Sequence, residues 1–203
     1  ATREGKVKKT PLSSFSNARN NGVIALGVQD GDEMIAAVLS DGQNDVMLAT
    51  RDGLSIRFRE EEVRPMGRTA AGVRGIELRE GDQVVAMELV REGQNVLTVT
   101  QLGYGKRTPV SDYPVQGRAG KGVITIKTQG RNGPVVGARL VADDDEVMLI
   151  ANSGKVIRTP VAGISAMGRN TQGVRLIDLS ESERVVDVAR LAEREERVVT
   201  EPG

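Results

Sequence analysis

The chain has 203 residues, equal numbers of cationic and acidic side chains (28 of each), and neither cysteine nor histidine. That length suits one large or two small domains with a real core, while the missing residue types exclude disulfides, thiolate metal sites and any chemistry built on imidazole. Two Phe, two Tyr and no Trp leave no platform for stacking unpaired bases, and the apolar runs fall far short of the ~20 residues of a membrane span.

In chain order, the first segment is "ATREGKVKKTP", followed by "NARNNGVIAL" from Asn17 and "GDEMIAAVLS" from Gly31. The same three blocks then return. The second set reads "VMLATRDGLSIRF" from Val46, "MGRTAAGVRGIEL" from Met66 and "GDQVVAMELV" from Gly81. The third is "VLTVTQLGYGKRTP" from Val96, "QGRAGKGVITI" from Gln116 and "GPVVGARLV" from Gly133. "VMLIANSGKVIRTP" from Val147, "MGRNTQGVRLIDL" from Met167 and "ERVVDVARL" from Glu183 complete the fourth. The first blocks start 50 and 51 residues apart at Val46, Val96 and Val147. From Gly53, Gly103 and Gly154, the arginines Arg68, Arg118 and Arg169 each lie 15 residues on, and Gly72, Gly122 and Gly173 each lie 19 on. The first copy, with Gly5, Arg19 and Gly22, is two residues shorter over this interval. A period of this length marks a repeat architecture.

Within each unit the pattern predicts four short strands, in the second copy about 46–50, 54–59, 73–78 and 83–90. Gly, Asp-Gly and Asn-Gly turns separate them. Four strands per ~50 residues predict an all-β array of propeller-like blades, in one domain over 1–191 with units 1–45, 46–95, 96–146 and 147–191. WD40 and kelch propellers do not fit, since the Gly-His, Trp-Asp and aromatic signatures are absent. Thr-Pro at 10–11, 108–109 and 159–160 should end strands, because proline cannot donate to a ladder. The glycines Gly22, Gly72, Gly122 and Gly173 read as tight turns or sites of close backbone approach. The segment 192–203 reads as an acidic, flexible tail, "AEREER" within it as a short helix or a frayed end; such a tail could compete with a polyanion for basic surface.

Charge is sorted in phase with the repeat. The stretches 5–23, 53–75, 103–127 and 154–175 hold 18 cations and 4 acids, and the rest of the chain holds 10 and 24. Stacked blades would therefore carry a continuous basic rim, suited to a duplex with one negative charge per ~1.7 Å of axis. Two equivalent sets stand out as phosphate contacts: Lys9, Arg57, Arg107 and Arg158, and Arg19, Arg68, Arg118 and Arg169. Lys6, Lys8, Lys106, Lys121 and Lys155 extend the candidate DNA-binding surface, and Glu60, Glu61 and Glu62 interrupt it. "QGRAGKGV", from Gln116, has the glycines and cations of a phosphate cradle. It is not a Walker loop, for Gly122 follows Gly120-Lys121 where Ser or Thr is needed and Val115 stands at the upstream glycine position. Nor does it have the GxGxxG spacing of a dinucleotide site.

"GKVKKTPLSSFSNARNNGVIAL", "GYGKRTPVSDY" and "GKVIRTPVAGISAMGRNTQGVRLI" closely resemble the C-terminal domain of the DNA gyrase A subunit, over essentially the whole chain to Leu191. The resemblance implies a β-pinwheel, with strands exchanged between neighbouring four-stranded blades, and duplex DNA wrapped around its basic perimeter. It implies a non-enzymatic accessory part of an ATP-dependent topoisomerase. The domain itself would take no cofactor or metal, while the holoenzyme uses ATP and Mg. The partners implied are the gyrase B subunit, the rest of the A subunit, and double-stranded DNA, in a bacterial cytoplasm and nucleoid with no membrane contact. The family domain usually has six blades, whereas four are visible and the chain opens in mid-blade, like a fragment without the first two. The family's box, Gln-basic-basic-Gly-Gly-basic-Gly, has a degenerate relative in Gln116, Gly117, Arg118, Ala119, Gly120, Lys121 and Gly122, which lacks one cation and one glycine.

Other readings remain open at this point. The equivalent domain of topoisomerase IV is a close variant, and a propeller used as a protein-interaction platform is a different class. An independent enzyme would need clustered carboxylates such as Asp143, Asp144 and Asp145, which read better as a solvated turn.

Overall fold

The computed structural model describes residues 1–17 and 20–191; Arg19 and the acidic segment 192–203 lie outside the described residues. The first unit contributes β1 (Lys6–Val7) and a bridge between Thr2 and Met34. The second contributes β2 (Asp45–Thr50), β3 (Leu54–Arg59), β4 (Val73–Arg74) and β5 (Val84–Leu89). In the third are β6 (Asn95–Thr100), β7 (Tyr104–Pro109), β8 (Val123–Ile124) and β9 (Val135–Val141). The fourth holds β10 (Glu146–Ala151), β11 (Val156–Pro160), β12 (Val174–Arg175) and β13 (Val185–Leu191). β7 and β11 end on Pro109 and Pro160, where the ladder loses its donor.

The third strand of each unit leaves that unit. β4 pairs with β1, β8 with β3, and β12 with β7, each one repeat back along the chain. The sheets are therefore β5-β2-β3-β8, β9-β6-β7-β12, the three-stranded β13-β10-β11 and the two-stranded β1-β4. Among the described residues, two blades are complete and the two terminal ones are not. The exchanged strand is shorter than the six residues the pattern predicts. After two residues of pairing the chain turns inward and drives Ile76, Ile126 or Ile177 between the sheets, where at most 3% of each is exposed. Burial of one such side chain contributes roughly 1.5–3 kcal/mol, more than further pairing at a sheet edge would.

Exchange demands close backbone approach. A Cβ on Gly72, Gly122 or Gly173 would stand 2.6, 2.5 or 2.4 Å from a carbonyl oxygen of the receiving strand, and all three have positive φ. Gly22, the equivalent in the first unit, has φ +78 and open space around it.

The core lies between blades. Val46 and Leu48 of β2 pack toward the first unit while Met47 and Ala49 pack toward the third. β6 divides likewise, Val96 facing one neighbour and Leu97 and Val99 the other. A strand covered on both faces needs a continuous apolar run rather than alternation, which explains "VMLAT" and "VLTVT"; in "VMLIA" of the last unit Val147 and Leu149 are buried while Met148 and Ile150 are half-buried. At the inner edges β9 lies beside both β5 and β13. There Arg139 spans from Glu88 (3.8 Å) to Asp187 (3.7 Å), tying three consecutive blades.

Gly173→Ala should lower stability in urea unfolding by about 1–3 kcal/mol more than Gly22→Ala, since both have a left-handed backbone but only the former overlaps a carbonyl.

Candidate nucleic-acid interface

Past its outer strand, each of the last three units makes a short 3-10 turn (Glu60–Glu62, Val110–Asp112, Val161–Gly163). The buried Val63, Tyr113 or Ile164 follows. The chain then crosses to the preceding blade, where Pro65, Val115 and Ala166 form parallel bridges with Lys9, Arg57 and Arg107. The amides of Met66, Gln116 and Met167 donate to the carbonyls of those three residues at 2.9, 2.7 and 2.9 Å. The loops that follow carry Arg68, Arg118 and Arg169, and each returns the chain to its exchanged strand.

These three arginines share one geometry. Arg68 donates to the carbonyl of Ile24 (3.2 Å), Arg118 to that of Arg74, and Arg169 to that of Ile124 (3.1 Å). The accepting residue is in each case the second after the exchange glycine, one unit earlier. Each loop is thus lashed to the loop before it by a guanidinium with no carboxylate partner among the described residues. Arg169 also donates to Asp112 O (2.7 Å) and lies over the Tyr113 ring. Lys121 and Lys155 are exposed beside this track, Lys155 donating to Asp178 O. Lys6 reaches the Gln29 side chain.

The other equivalent set is occupied differently. Arg57, whose side chain is only 10% exposed, pairs with Asp45 (2.8 Å) and Glu92 (2.7 Å). Burial works against its charge, but the hydrogen bonds to these two carboxylates outweigh it and raise its pKa. Arg107 pairs with Asp143 and donates to Ile164 O (2.7 Å). Arg158 is matched by Glu146. Lys9 donates to Glu60 O (3.1 Å). These cations brace the protein, Arg158 within its own blade and Lys9, Arg57 and Arg107 also across to the next unit, so their regular recurrence is a structural regularity.

Lys8 and Lys106, placed on the rim by sequence, turn inward instead. Lys106 is fully buried, and its ammonium donates to Thr108 Oγ1 and Gly168 O, both at 2.7 Å. Burial lowers its pKa to about 8; Asp112 opposes that shift and Arg169 adds to it. Lys8 reaches Ala25 O (2.5 Å), Arg68 O (2.6 Å) and Gly67 O (3.2 Å). Its pKa too is lowered, by burial and then by Arg68. In the second and fourth units the same position holds Ile56 and Ile157.

Glu60 does not interrupt the rim. It occupies the position of the buried Val110 and Val161, is itself buried, and accepts from Ser40 Oγ at 2.6 Å. Glu62 remains outside, where its carboxylate accepts the Arg118 amide (2.7 Å). The acidic run is structural as well: Asp143 pairs with Arg107, while Asp145 accepts the Ala142 amide (2.8 Å) and pairs with Arg190. In the box-like loop, Ala119 has φ +68 where the family pattern has glycine, and Gln116 Oε1 and Arg118 Nε lack hydrogen-bond partners. Sequence reasoning missed the exposed Arg59, Arg64, Arg74 and Arg175. The recurring "GVR" of the second and fourth units is the signal for the last two. Arg175 and Arg131 flank the Tyr104 ring at 5.7 and 4.8 Å.

The model of the DNA gyrase C-terminal domain, a β-propeller, matches four times in succession, at residues 1–41, 44–91, 94–142 and 145–192. The chain belongs to this family. The DNA gyrase A subunit of Salmonella typhimurium is 51% identical over 193 residues, and that of Escherichia coli (strain K12) 50%; each match covers 95% of this chain and 22% of the relative. The corresponding protein of Mycolicibacterium smegmatis is 42% identical over 97% of the chain and 24% of its own length. The chain thus spans about a fifth of these relatives. Among solved structures, a topoisomerase IV C-terminal domain superposes with TM-score 0.89 at 28% identity, over 94% of this chain and 60% of that one. A DNA gyrase A C-terminal domain gives 0.86, also at 28% identity, over 95% and 64%. The four matches coincide with the four repeat units.

Arg57→Met should cost about 1–3 kcal/mol in urea unfolding, because Asp45 is left half-buried without its partner; Arg158→Met, at an exposed pair, should cost under about 1 kcal/mol. Ala119→Gly should stabilise the fold by up to about 1 kcal/mol by relieving the left-handed backbone, read as a higher melting temperature.

Proposed function

We propose that this domain binds duplex DNA without sequence preference and bends it along the loop rim, as the wrapping module of a gyrase A subunit. The observation that carries the reading is the equivalent placement of Arg68, Arg118 and Arg169 on three successive loops, each held by a backbone carbonyl and, among the described residues, none paired with an acid. Phosphate contacts of this kind position a duplex without reading its bases. Lys121, Arg74, Lys155 and Arg175, all exposed, widen the track. Arg57, Arg107, Arg158 and Lys9 contribute to the field of the rim, while acids and backbone carbonyls take up their directed bonds. In the holoenzyme, with the B subunit plus the rest of the A subunit, wrapping would give the DNA crossing a preferred hand and so support ATP- and Mg-dependent negative supercoiling at the nucleoid. The 42–51% identity to gyrase A subunits favours this over the topoisomerase IV variant.

One observation favours a protein-facing role as well. Leu12, Ile24, Val28, Met34, Val38 and Leu39, all in the first unit, are exposed, which suits contact with neighbouring protein beside the DNA track.

Binding to a random ~40-base-pair duplex across a salt series should give a log–log slope of roughly −4 or steeper, unchanged on a second sequence. Arg118→Ala should make it shallower by about 0.9, and Arg57→Met should leave it in place. Negligible binding at low salt would overturn the reading.

A further inference from the structure

Where a lysine faces inward from the outer strand, it meets the arginine loop of the next unit. Lys8 holds the carbonyls of Gly67 and Arg68, and Lys106 that of Gly168. Thr108, which accepts from Lys106, donates to Met167 O at 2.8 Å, so two successive carbonyls ahead of Arg169 are fixed from within the blade. The third blade has a buried polar network at these positions: Tyr113 OH meets Thr125 Oγ1 at 2.6 Å, and Thr98 lies within 3.4 Å of the same hydroxyl. The second blade fills the corresponding positions with Leu48, Ile56, Phe58 and Val63. An apolar blade packs and folds, so the fold itself does not require the buried ammonium. Burying a cation costs free energy unless its bonds return it; of the two bonds made here one goes to the arginine loop and the other to Thr108, which itself bonds that loop.

We propose that Lys106 is a positioning residue, which holds the Gly168–Arg169 loop in the conformation that presents Arg169 to a polyanion, and that Lys8 does the same for Arg68. The lysines touch no ligand themselves; they set the geometry of the arginines that do. This rests on the DNA-binding reading above. The charged groups that act on the Lys106 ammonium are Asp112 and Arg169, and Tyr113, whose own pKa burial raises, is tied to the same Thr108. Lys106, held at about 8, is therefore charged at neutral pH and largely neutral at pH 9.5, while Tyr113 stays protonated. A charge-assisted bond is about twice as strong as a neutral one, so the loop loosens as pH rises through this range. Global stability moves the other way: a lysine lowered on folding penalises the fold below its folded pKa and ceases to do so as pH approaches its unfolded value.

The test compares the 203-residue chain with Lys106→Ile, Arg169→Ala and the double variant in duplex salt titrations. Isoleucine is the residue already found at the equivalent positions 56 and 157. Each single variant should make the slope shallower by about 0.9, with no further change in the double, since the lysine acts only through the arginine. Additive losses, or an unchanged slope in Lys106→Ile, would overturn the proposal. Between pH 7.5 and 9.5 the parent slope should become shallower and that of Lys106→Ile should change less; identical profiles would count against it. Hydrogen exchange at residues 165–171, corrected for intrinsic rates, gives a readout without DNA. Faster exchange in Lys106→Ile supports the proposal and equal exchange overturns it, whereas loss of duplex binding in every protein, the parent included, refutes the DNA-binding reading alone. If Lys106→Ile does not fold, Thr108→Val breaks the bridge to Met167 and carries the same comparisons.

Discussion

The exchanged strand is the feature from which packing and interface both follow. Each unit gives its third strand to the sheet before it, so no blade is built from one stretch of chain. The transfer succeeds because the glycine at the crossing puts backbone within 2.4–2.6 Å of where a side chain would begin. The isoleucine that follows then locks the junction from inside. The loop that delivers the strand must cross the preceding blade's outer strand, and that crossing places the arginines.

The cations divide by the company they keep. On the outer strands, Arg57 and Arg158 sit diagonally across from an acid on the neighbouring strand of their own sheet, Asp45 and Glu146, and their charge is spent on bracing. Those on the crossing loops bond to carbonyls and, among the described residues, to no carboxylate, which orients a guanidinium without cancelling its charge. A third group turns toward the neighbouring arginine loop and bonds its carbonyls, Lys106 fully buried and Lys8 half-buried. A neutral chain can carry a basic face in this way because its acids lie where the blades need them.

Membership of the gyrase C-terminal domain family rests on the repeat as much as on identity, since the family pattern matches once per unit. The structure adds the differences between units. The box-like loop with its left-handed Ala119 lies against the apolar Ile56, whereas the loops of the second and fourth units are held by the half-buried Lys8 and the fully buried Lys106. Along one rim, the loops are held by two different means.

The repeat, the all-β class, the turn glycines and the sorting of charge were legible in the sequence because each is periodic, and a period needs no contacts to be seen. Apolar runs such as "VMLAT" announced strands buried on both faces. What the period could not convey was which neighbour each residue meets. Arg57 and Arg118 look alike in one dimension, yet one faces Asp45 and the other a carbonyl of the preceding unit. Glu60 looked like an interruption of the rim and fills a valine's place in the core, and Lys106 looked exposed and is sealed. Alternation along a strand gives two faces without saying which is inside, and strand exchange brings together residues about 50 positions apart. The kind of repeat and the stock of charges are properties of the chain. Which charges are neutralised is a property of the fold, because ion pairing and burial are set by distance in space, and that distance depends on the exchange.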